Sequence, residues 1–278
     1  MAGEKIVVMG FINVNKAFAE KSPSLYKKIP ACVIRFVEKL IHQDEMNGFM
    51  DAHIHDSSID FATAGLDFFQ VGLHVHGEEN IPAAGRKIVV SNHPLGGLDG
   101  LALISVLGRY RSDIKFPVND LLMQLTPMKE VFIPINKHGR NNINATQQLN
   151  EAFASNDLIL YFPAGLCSRK INGEICDLEW KKSIITKAKE FKRDIVPAFF
   201  DGKNSNRFYN LANIRKKLKI KANLEMALLP DEAFRQKGNT INVTFGKEIP
   251  YSHFDKTKND KEWVQWLKKK VYALKKNT

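Results

Sequence analysis

The segment Ser91-Asn92-His93-Pro94-Leu95-Gly96-Gly97-Leu98-Asp99-Gly100 follows directly on the β-branched run Ile88-Val89-Val90. A polar, glycine-rich stretch after such a run is a strand opening into a loop, where α/β enzymes keep their chemistry. His93 can take a proton near neutral pH without a large pKa shift. Asp99 stands close enough in sequence to fold back and hold the imidazole in one tautomer. A base with an orienting carboxylate suffices when a substrate brings its own nucleophile. The same residues also allow a blander reading, an Asn-His-Pro turn whose aspartate caps a helix beginning near Leu98.

Further segments repeat this form. Val131-Phe132-Ile133-Pro134-Ile135 opens into a cationic loop with Lys137 and Arg140. Leu160-Tyr161-Phe162-Pro163-Ala164-Gly165 ends in a turn followed by Cys167, Ser168, Arg169 and Lys170. That turn offers backbone N–H groups and guanidinium to an anion or an oxyanion. The run Ile195–Phe200 leads into Asp201-Gly202-Lys203-Asn204-Ser205. Loops at successive strand ends can converge on one site.

The elements that must position these loops are legible in outline. Apolar runs near 70–77, 87–91, 131–135, 157–162, 194–200, 223–229 and 240–245 read as strands. Helical periodicity appears near 98–110, 118–128, 143–154, 179–191 and 206–217. The alternation predicts an α/β fold with a mixed, mostly parallel sheet of about seven strands covered by helices. Residues 1–68 differ: Val33, Phe36, Val37, Leu40 and Ile41 form one helical stripe, and Met46, Phe49 and Met50 suggest another helix. We expect a helical N-terminal extension over 1–68 packed on a domain of residues 69–278, its apolar face turned to the core or to a membrane.

Hydrophobic content of 44% and charged content of 26% are those of a folded globular chain rather than a disordered one. No apolar run approaches the ~20 residues that cross a bilayer, and the first residues do not make a signal peptide. The three cysteines lack metal or disulfide spacing, which suits a reducing compartment. A net charge of +11 favours an anionic partner. Nucleic-acid-binding signatures are absent, leaving a membrane surface or an acidic carrier protein. One basic cluster is Arg215, Lys216, Lys217, Lys219 and Lys221. Another, Lys268, Lys269, Lys270, Lys275 and Lys276, ends a helix carrying Trp263, Leu267, Val271 and Leu274. That helix either packs on the core with a solvated lysine face or lies on a membrane interface. The pairs His53/His55 and His74/His76 lack further ligands at metal spacing, so no metal is expected. Cys167 reads as a small packed side chain, and no Gly-x-Ser-x-Gly elbow supports a serine hydrolase.

Asn92-His93 with Asp99, the strand with a basic end at 131–140, Phe162-Pro163-Ala164-Gly165, and the apolar strand with Pro197 together resemble the glycerolipid-acyltransferase superfamily over roughly residues 70–250. The forms Asn-His-Pro-Leu-Gly-Gly-Leu-Asp-Gly and Asp-Gly-Lys-Asn-Ser-x-x-Phe-Tyr are similar to its branch of bacterial ornithine- and glycine-lipid O-acyltransferases and haemolysin-like proteins. This resemblance implies transfer of a fatty acyl group from a thioester of acyl carrier protein or coenzyme A to the hydroxyl of a lyso-lipid, with no cofactor or metal. It implies His93 as general base, Asp99 as its orienting partner, and loop amides as oxyanion donors. The implied substrate-binding residues are Asn92, Gly96, Gly97, Lys137, Arg140, Phe162, Pro163, Gly165, Ser168 and Arg169, with Arg169 the main holder of an anionic head group. A cytoplasmic enzyme peripheral on the inner face of the membrane is implied as well. Two departures stand out. The interval is His-x5-Asp rather than His-x4-Asp, and Ala164 replaces a glutamate, which turns the expectation from a glycerol-phosphate acceptor towards a mono-acylated amino-acid lipid. A 1-acylglycerol-3-phosphate acyltransferase and a non-catalytic membrane- or carrier-binding protein are the alternatives.

Overall fold

The computed structural model describes residues 12–21, 23–119, 122–135 and 142–275. Helices α1 (Val14–Lys21), α2 (Pro23–Tyr26), α3 (Ala31–Leu40), α4 (Gln43–Ala52) and α5 (Ser58–Phe68) precede β1 (Gly72–His76) and β2 (Lys87–Ser91). Next come α6 (Gly97–Gly108), β3 (Ile114–Val118), β4 (Phe132–Pro134), α7 (Asn142–Ala154) and β5 (Leu158–Tyr161). A small hairpin, β6 (Arg169–Ile171) and β7 (Glu174–Cys176), is followed by α8 (Ser183–Glu190) and β8 (Asp194–Asp201). The chain closes with α9 (Asn206–Lys217), α10 (Leu229–Phe234), β9 (Thr240–Phe245) and α11 (Asp260–Tyr272).

The strands form the expected mixed sheet of seven, in the order β1-β9-β8-β2-β5-β3-β4. β8, β2, β5, β3 and β4 run parallel, while β9 pairs antiparallel with β8 and parallel with β1. Ile88, Val89 and Val90 are all fully buried because β2 sits mid-sheet with helices on both faces. The ends of β2, β5 and β8 therefore open on one edge, side by side. α5 is not detached from this body: Phe61, Ala62 and Leu66 share a core cluster with Leu103 and Leu107 of α6.

Three expectations are corrected. The described residues of 118–128 form no long helix but the end of β3 and two 3₁₀ turns, Leu122–Gln124 and Thr126–Met128. Pro127 sits in the first turn of the second of these, where its missing N–H leaves no bond unmade. The strand expected over 223–229 is instead a 3₁₀ turn, Leu224–Leu228, leading into α10, whose first turn carries Pro230. β3 takes its place in the sheet, with Ile114, Phe116 and Val118 all buried. Finally, the expected stripe on α3 is divided: Leu40 packs against a small core cluster with Phe208 and Leu228, while Val33 and Phe36 are exposed and Ile34, off the stripe, is buried. α11 does pack on the core, burying Trp263, Val264, Leu267 and Val271. Lys268 leaves the expected docking set: its ammonium donates to the carbonyls of Asp177 and Leu178.

Candidate active site

β2 ends at Ser91 and delivers His93 to the open edge of the sheet. Asn92 clamps this strand end to β8: its side chain accepts from the Phe200 N–H at 2.7 Å and donates to the Phe200 carbonyl at 2.9 Å. The chain then turns at Gly96, whose φ of 74° favours glycine. A Cβ there would lie 3.0 Å from Leu229 Cδ1 and 3.4 Å from Cys167 Sγ. The turn absorbs the extra residue of the His-x5-Asp interval and brings Asp99, in the first turn of α6, back to the ring.

His93 Nδ1 and Asp99 Oδ2 are 2.9 Å apart. The same Oδ2 accepts from the backbone N–H groups of Leu95 at 2.8 Å and Gly96 at 3.1 Å. Asp99 is fully buried, whereas the imidazole keeps 17% exposure. Because a carboxylate only accepts, Nδ1 carries the proton, and Nε2 is the nitrogen left for a substrate. Phe162, reached from the end of β5, stacks on the imidazole at 4.2 Å with an interplanar angle of 15°. Burial alone opposes the imidazolium, but the Cys167 sulfur and the Asp99 carboxylate beside the ring overcome it, so the His93 pKa stands well above its ordinary value. Burial raises the Asp99 pKa, and the bond from His93 opposes that rise. A partly exposed base, fixed by a buried carboxylate, is equipped to accept a proton from a hydroxyl.

Asp177 is the residue the sequence did not reveal. Its Oδ1 accepts from the His93 N–H at 3.1 Å and from the Ser168 hydroxyl at 2.5 Å, and its Oδ2 from the Trp180 indole at 2.8 Å. Ser168 N–H in turn donates to the His93 carbonyl at 2.8 Å, and Asn204 donates to the Pro94 carbonyl at 3.0 Å. The backbone of the His93 loop is thus held from β5, β8 and the β6–β7 hairpin. The dipeptide Asn172-Gly173 signals that hairpin: both residues have positive φ, as a type I′ turn requires.

Several expected substrate contacts face inward instead. Arg169 is buried, donating to Glu225 at 2.7 Å and to the Cys167 carbonyl at 2.5 Å, and lies over the Phe208 ring. Glu225 also accepts from Arg215 at 2.8 Å. Its charge is thus matched inside this Arg–Glu–Arg cluster, which ties the turn after β5 to the segment at Glu225. Asn92 and Ser168 are likewise committed to framework bonds, and Phe162 acts as a platform for the imidazole. The amides of Leu95 and Gly96 are used by Asp99, which leaves those of Gly97 and Leu98 as the α6 amides with no intrahelical acceptor. Pro163 and Gly165 shape the turn after β5, closed by a bond from the Gly165 N–H to the Phe162 carbonyl at 3.0 Å. Lys181 brings an ammonium to that turn, 3.1 Å from where a Gly165 Cβ would be. Lys137 and Arg140 lie outside the described residues. Of the histidine pairs, His53 bonds Asp56 at 2.7 Å, and His74 and His76 lie ring against ring on β1. No three metal-ligating side chains gather among the described residues.

The chain as a whole has relatives among known proteins. The family described as "Acyltransferase" matches residues 16–278, and the chain belongs to it. It is therefore an acyltransferase, and the reading as a mere binding protein is set aside. The chain is 46% identical over 264 residues to the lyso-glycine lipid O-acyltransferase of Bacteroides thetaiotaomicron, covering 95% of this chain and 97% of that protein. It is 44% identical to the lyso-glycine lipid O-acyltransferase of Phocaeicola vulgatus, covering 95% of each. The fold is similar to the crystal structure of the 1-acyl-sn-glycerophosphate (LPA) acyltransferase PlsC from Thermotoga maritima, with a TM-score of 0.52 at 14% identity and 95% coverage of both chains.

Proposed function

We propose that this enzyme moves a fatty acyl group from an acyl thioester to the hydroxyl of a mono-acylated amino-acid lipid, lyso-glycine lipid first among them. The observation that carries the reading is the contact of His93 Nδ1 with the buried Asp99 carboxylate at 2.9 Å, which leaves Nε2 on the partly exposed ring. The names of the two relatives, alike over nearly the whole chain, supply the acceptor class.

In this reading Nε2 takes the acceptor's hydroxyl proton as the oxygen attacks the thioester carbonyl, and the ring becomes an imidazolium facing Asp99. The tetrahedral intermediate then expels the thiolate, His93 returns the proton to sulfur, and ester and free thiol leave. Such general-base help is worth about 10²–10⁴ in rate. The Gly97 and Leu98 amides are the oxyanion donors we favour. A thioester is already activated, so the scheme uses no metal or cofactor, and acyl carrier protein or coenzyme A is the co-substrate. In this reading the enzyme works peripherally on the inner face of the cytoplasmic membrane, where a lipid acceptor and a thioester donor meet; no helix of the described residues is long and apolar enough to cross a membrane.

Purified enzyme supplied with an acyl thioester and either lyso-glycine lipid or lysophosphatidic acid tests this, reading thiol release together with product mass. Lyso-glycine lipid should be preferred, and His93→Ala should abolish both signals. Preference for lysophosphatidic acid would overturn the acceptor, and turnover by His93→Ala above a tenth of the parent would overturn the base.

A further inference from the structure

Exposed aliphatic side chains collect at one end of the molecule. Ile214 (55% exposed) in the last turn of α9, Leu218 (65%) and Ile220 (38%) in the turn that follows, and Leu224 (48%) at the start of the 3₁₀ segment Leu224–Leu228 succeed one another along the chain. Single exposed leucines are ordinary, but a group of them marks a contact surface. The turn is tightly built. Arg215 donates to both Glu225 carboxylate oxygens and, at 2.9 Å, to the Ile220 carbonyl, while the Ile220 N–H returns to the Arg215 carbonyl at 3.0 Å. Lys219 sits at φ 57°, in the left-handed conformation usual for the residue after a helix end, where glycine is the common choice.

Charge surrounds these apolar tips. Lys216, Lys217, Lys219 and Lys221 are all exposed, and no carboxylate of the described residues pairs with them. α3 abuts the same end: its Leu40 packs in one small cluster with Leu211 and Met226. Phe36 of α3 is itself 65% exposed, with Arg35 and Lys39 exposed beside it. Glu225, which anchors the turn, also bonds Arg169, and Arg169 follows directly on Ser168, whose N–H holds the His93 carbonyl. The surface and the histidine loop are therefore linked through a short chain of hydrogen bonds.

We propose that the 214–224 turn, flanked by α3, is the surface on which the enzyme sits on an anionic lipid bilayer. Aliphatic tips enter the boundary between headgroups and acyl chains, while the lysines meet lipid phosphates. An acidic protein partner matches the charge but gives the four aliphatic tips less to enter. The identity of the partner rests on the proposed function, which draws a lipid acceptor from that bilayer.

The test is co-sedimentation of the full chain with vesicles of phosphatidylglycerol and phosphatidylethanolamine, and with vesicles of phosphatidylcholine alone, all free of lyso-lipid. Two variants are compared: Ile214→Asn with Leu218→Asn, and Lys216, Lys217, Lys219 and Lys221 each changed to Glu. Each alters exposed side chains only, and a thermal melt checks folding. The parent should bind anionic vesicles and release them with salt. The apolar variant should lose about tenfold in partitioning, and the charge variant at least about 100-fold, with turnover of a water-soluble short-chain acceptor kept by both. Vesicle binding kept by either variant overturns the proposal. If, besides, the charge variant raises KM for an acyl-carrier-protein donor, the surface is a carrier dock. Because the vesicles hold no acceptor, a parent that binds them yet fails to acylate lyso-glycine lipid defeats only the proposed function.

Discussion

Replacing Asp99 with asparagine removes the charge of the carboxylate and keeps its shape. Oδ2 accepts from His93 Nδ1 at 2.9 Å, Leu95 N–H at 2.8 Å and Gly96 N–H at 3.1 Å, and an amide oxygen at that position can keep all of these bonds. What is lost is the attraction between carboxylate and the imidazolium of the transition state. With charge centres about 4 Å apart and an effective dielectric constant near 20, that attraction is about 4 kcal/mol. At a factor of ten per ~1.4 kcal/mol, kcat/KM should fall about 10³-fold. The pH profile moves too. His93 must be neutral to act as base, and its pKa is held well above the ordinary value, so the parent's kcat/KM should rise with pH through a limb centred above ~6.5. Without the anion the cation is less favoured, and the limb shifts to lower pH. Stability should barely change. Burial makes the Asp99 charge costly, so neutralising it is a relief. Against this, Oδ1 has no hydrogen-bond partner, and an amide nitrogen in its place is left unsatisfied at about 1–3 kcal/mol. Steady-state thiol release over pH 5–9, beside a thermal melt, reads all of this. A variant keeping more than a tenth of parental kcat/KM, or an acid limb that stays put, would refute the assignment of Asp99.

Asp177→Asn leaves one of the three donors to that carboxylate less well matched, so kcat should drop about 10–100-fold through a shifted His93 loop, while the acid limb of the pH profile stays in place. Pre-steady-state and pH-rate measurements separate this outcome from loss of the base. Arg169→Ala removes one partner of the buried Arg–Glu–Arg cluster and should cost about 3 kcal/mol of stability in urea unfolding. The acceptor KM of the folded fraction should change less than about twofold; a larger rise would restore Arg169 as a head-group ligand. Gly96→Ala forces a side chain to φ 74° and against Leu229, a strain of about 1–3 kcal/mol, and should both lower the melting temperature and move Asp99 off the ring.

What could be read in the sequence was local. The runs that became β2, β5 and β8 end in recognisable loops, and the catalytic candidates His93 and Asp99 lie within one of them. Their contact needs only a glycine turn, which is visible in Gly96-Gly97. What could not be read was long-range pairing. β3 escapes notice because Lys115 and Pro117 interrupt its apolar pattern, although Ile114, Phe116 and Val118 alternate and are buried. Pro117 is tolerated because β5 pairs only with Ile114 and Lys115. Asp177 is an ordinary aspartate until the hairpin carries it to His93, 84 positions away in the chain. Arg169 looks like an anion ligand until Glu225, 56 positions on, matches its charge. The stripe on α3 has a helical period, but periodicity does not say which face finds the core.

These long-range bonds also separate two jobs that the motifs seem to join. In the block that runs from Phe162-Pro163-Ala164-Gly165 to Arg169, two side chains suited to grip an anion are turned inward: Arg169 to Glu225, and Ser168 to Asp177. Ala164 is 7% exposed and packs in a cluster with Ile133, Ile159 and Trp180. A glutamate there would need a partner of its own to offset burial. The block therefore aims the histidine, through Phe162 against its ring and Ser168 on its carbonyl. Lys181 brings a further cation to the turn after β5, 3.1 Å from where a Gly165 Cβ would be. Changes to Ser168, Asp177 or Phe162 should lower kcat before they alter acceptor preference.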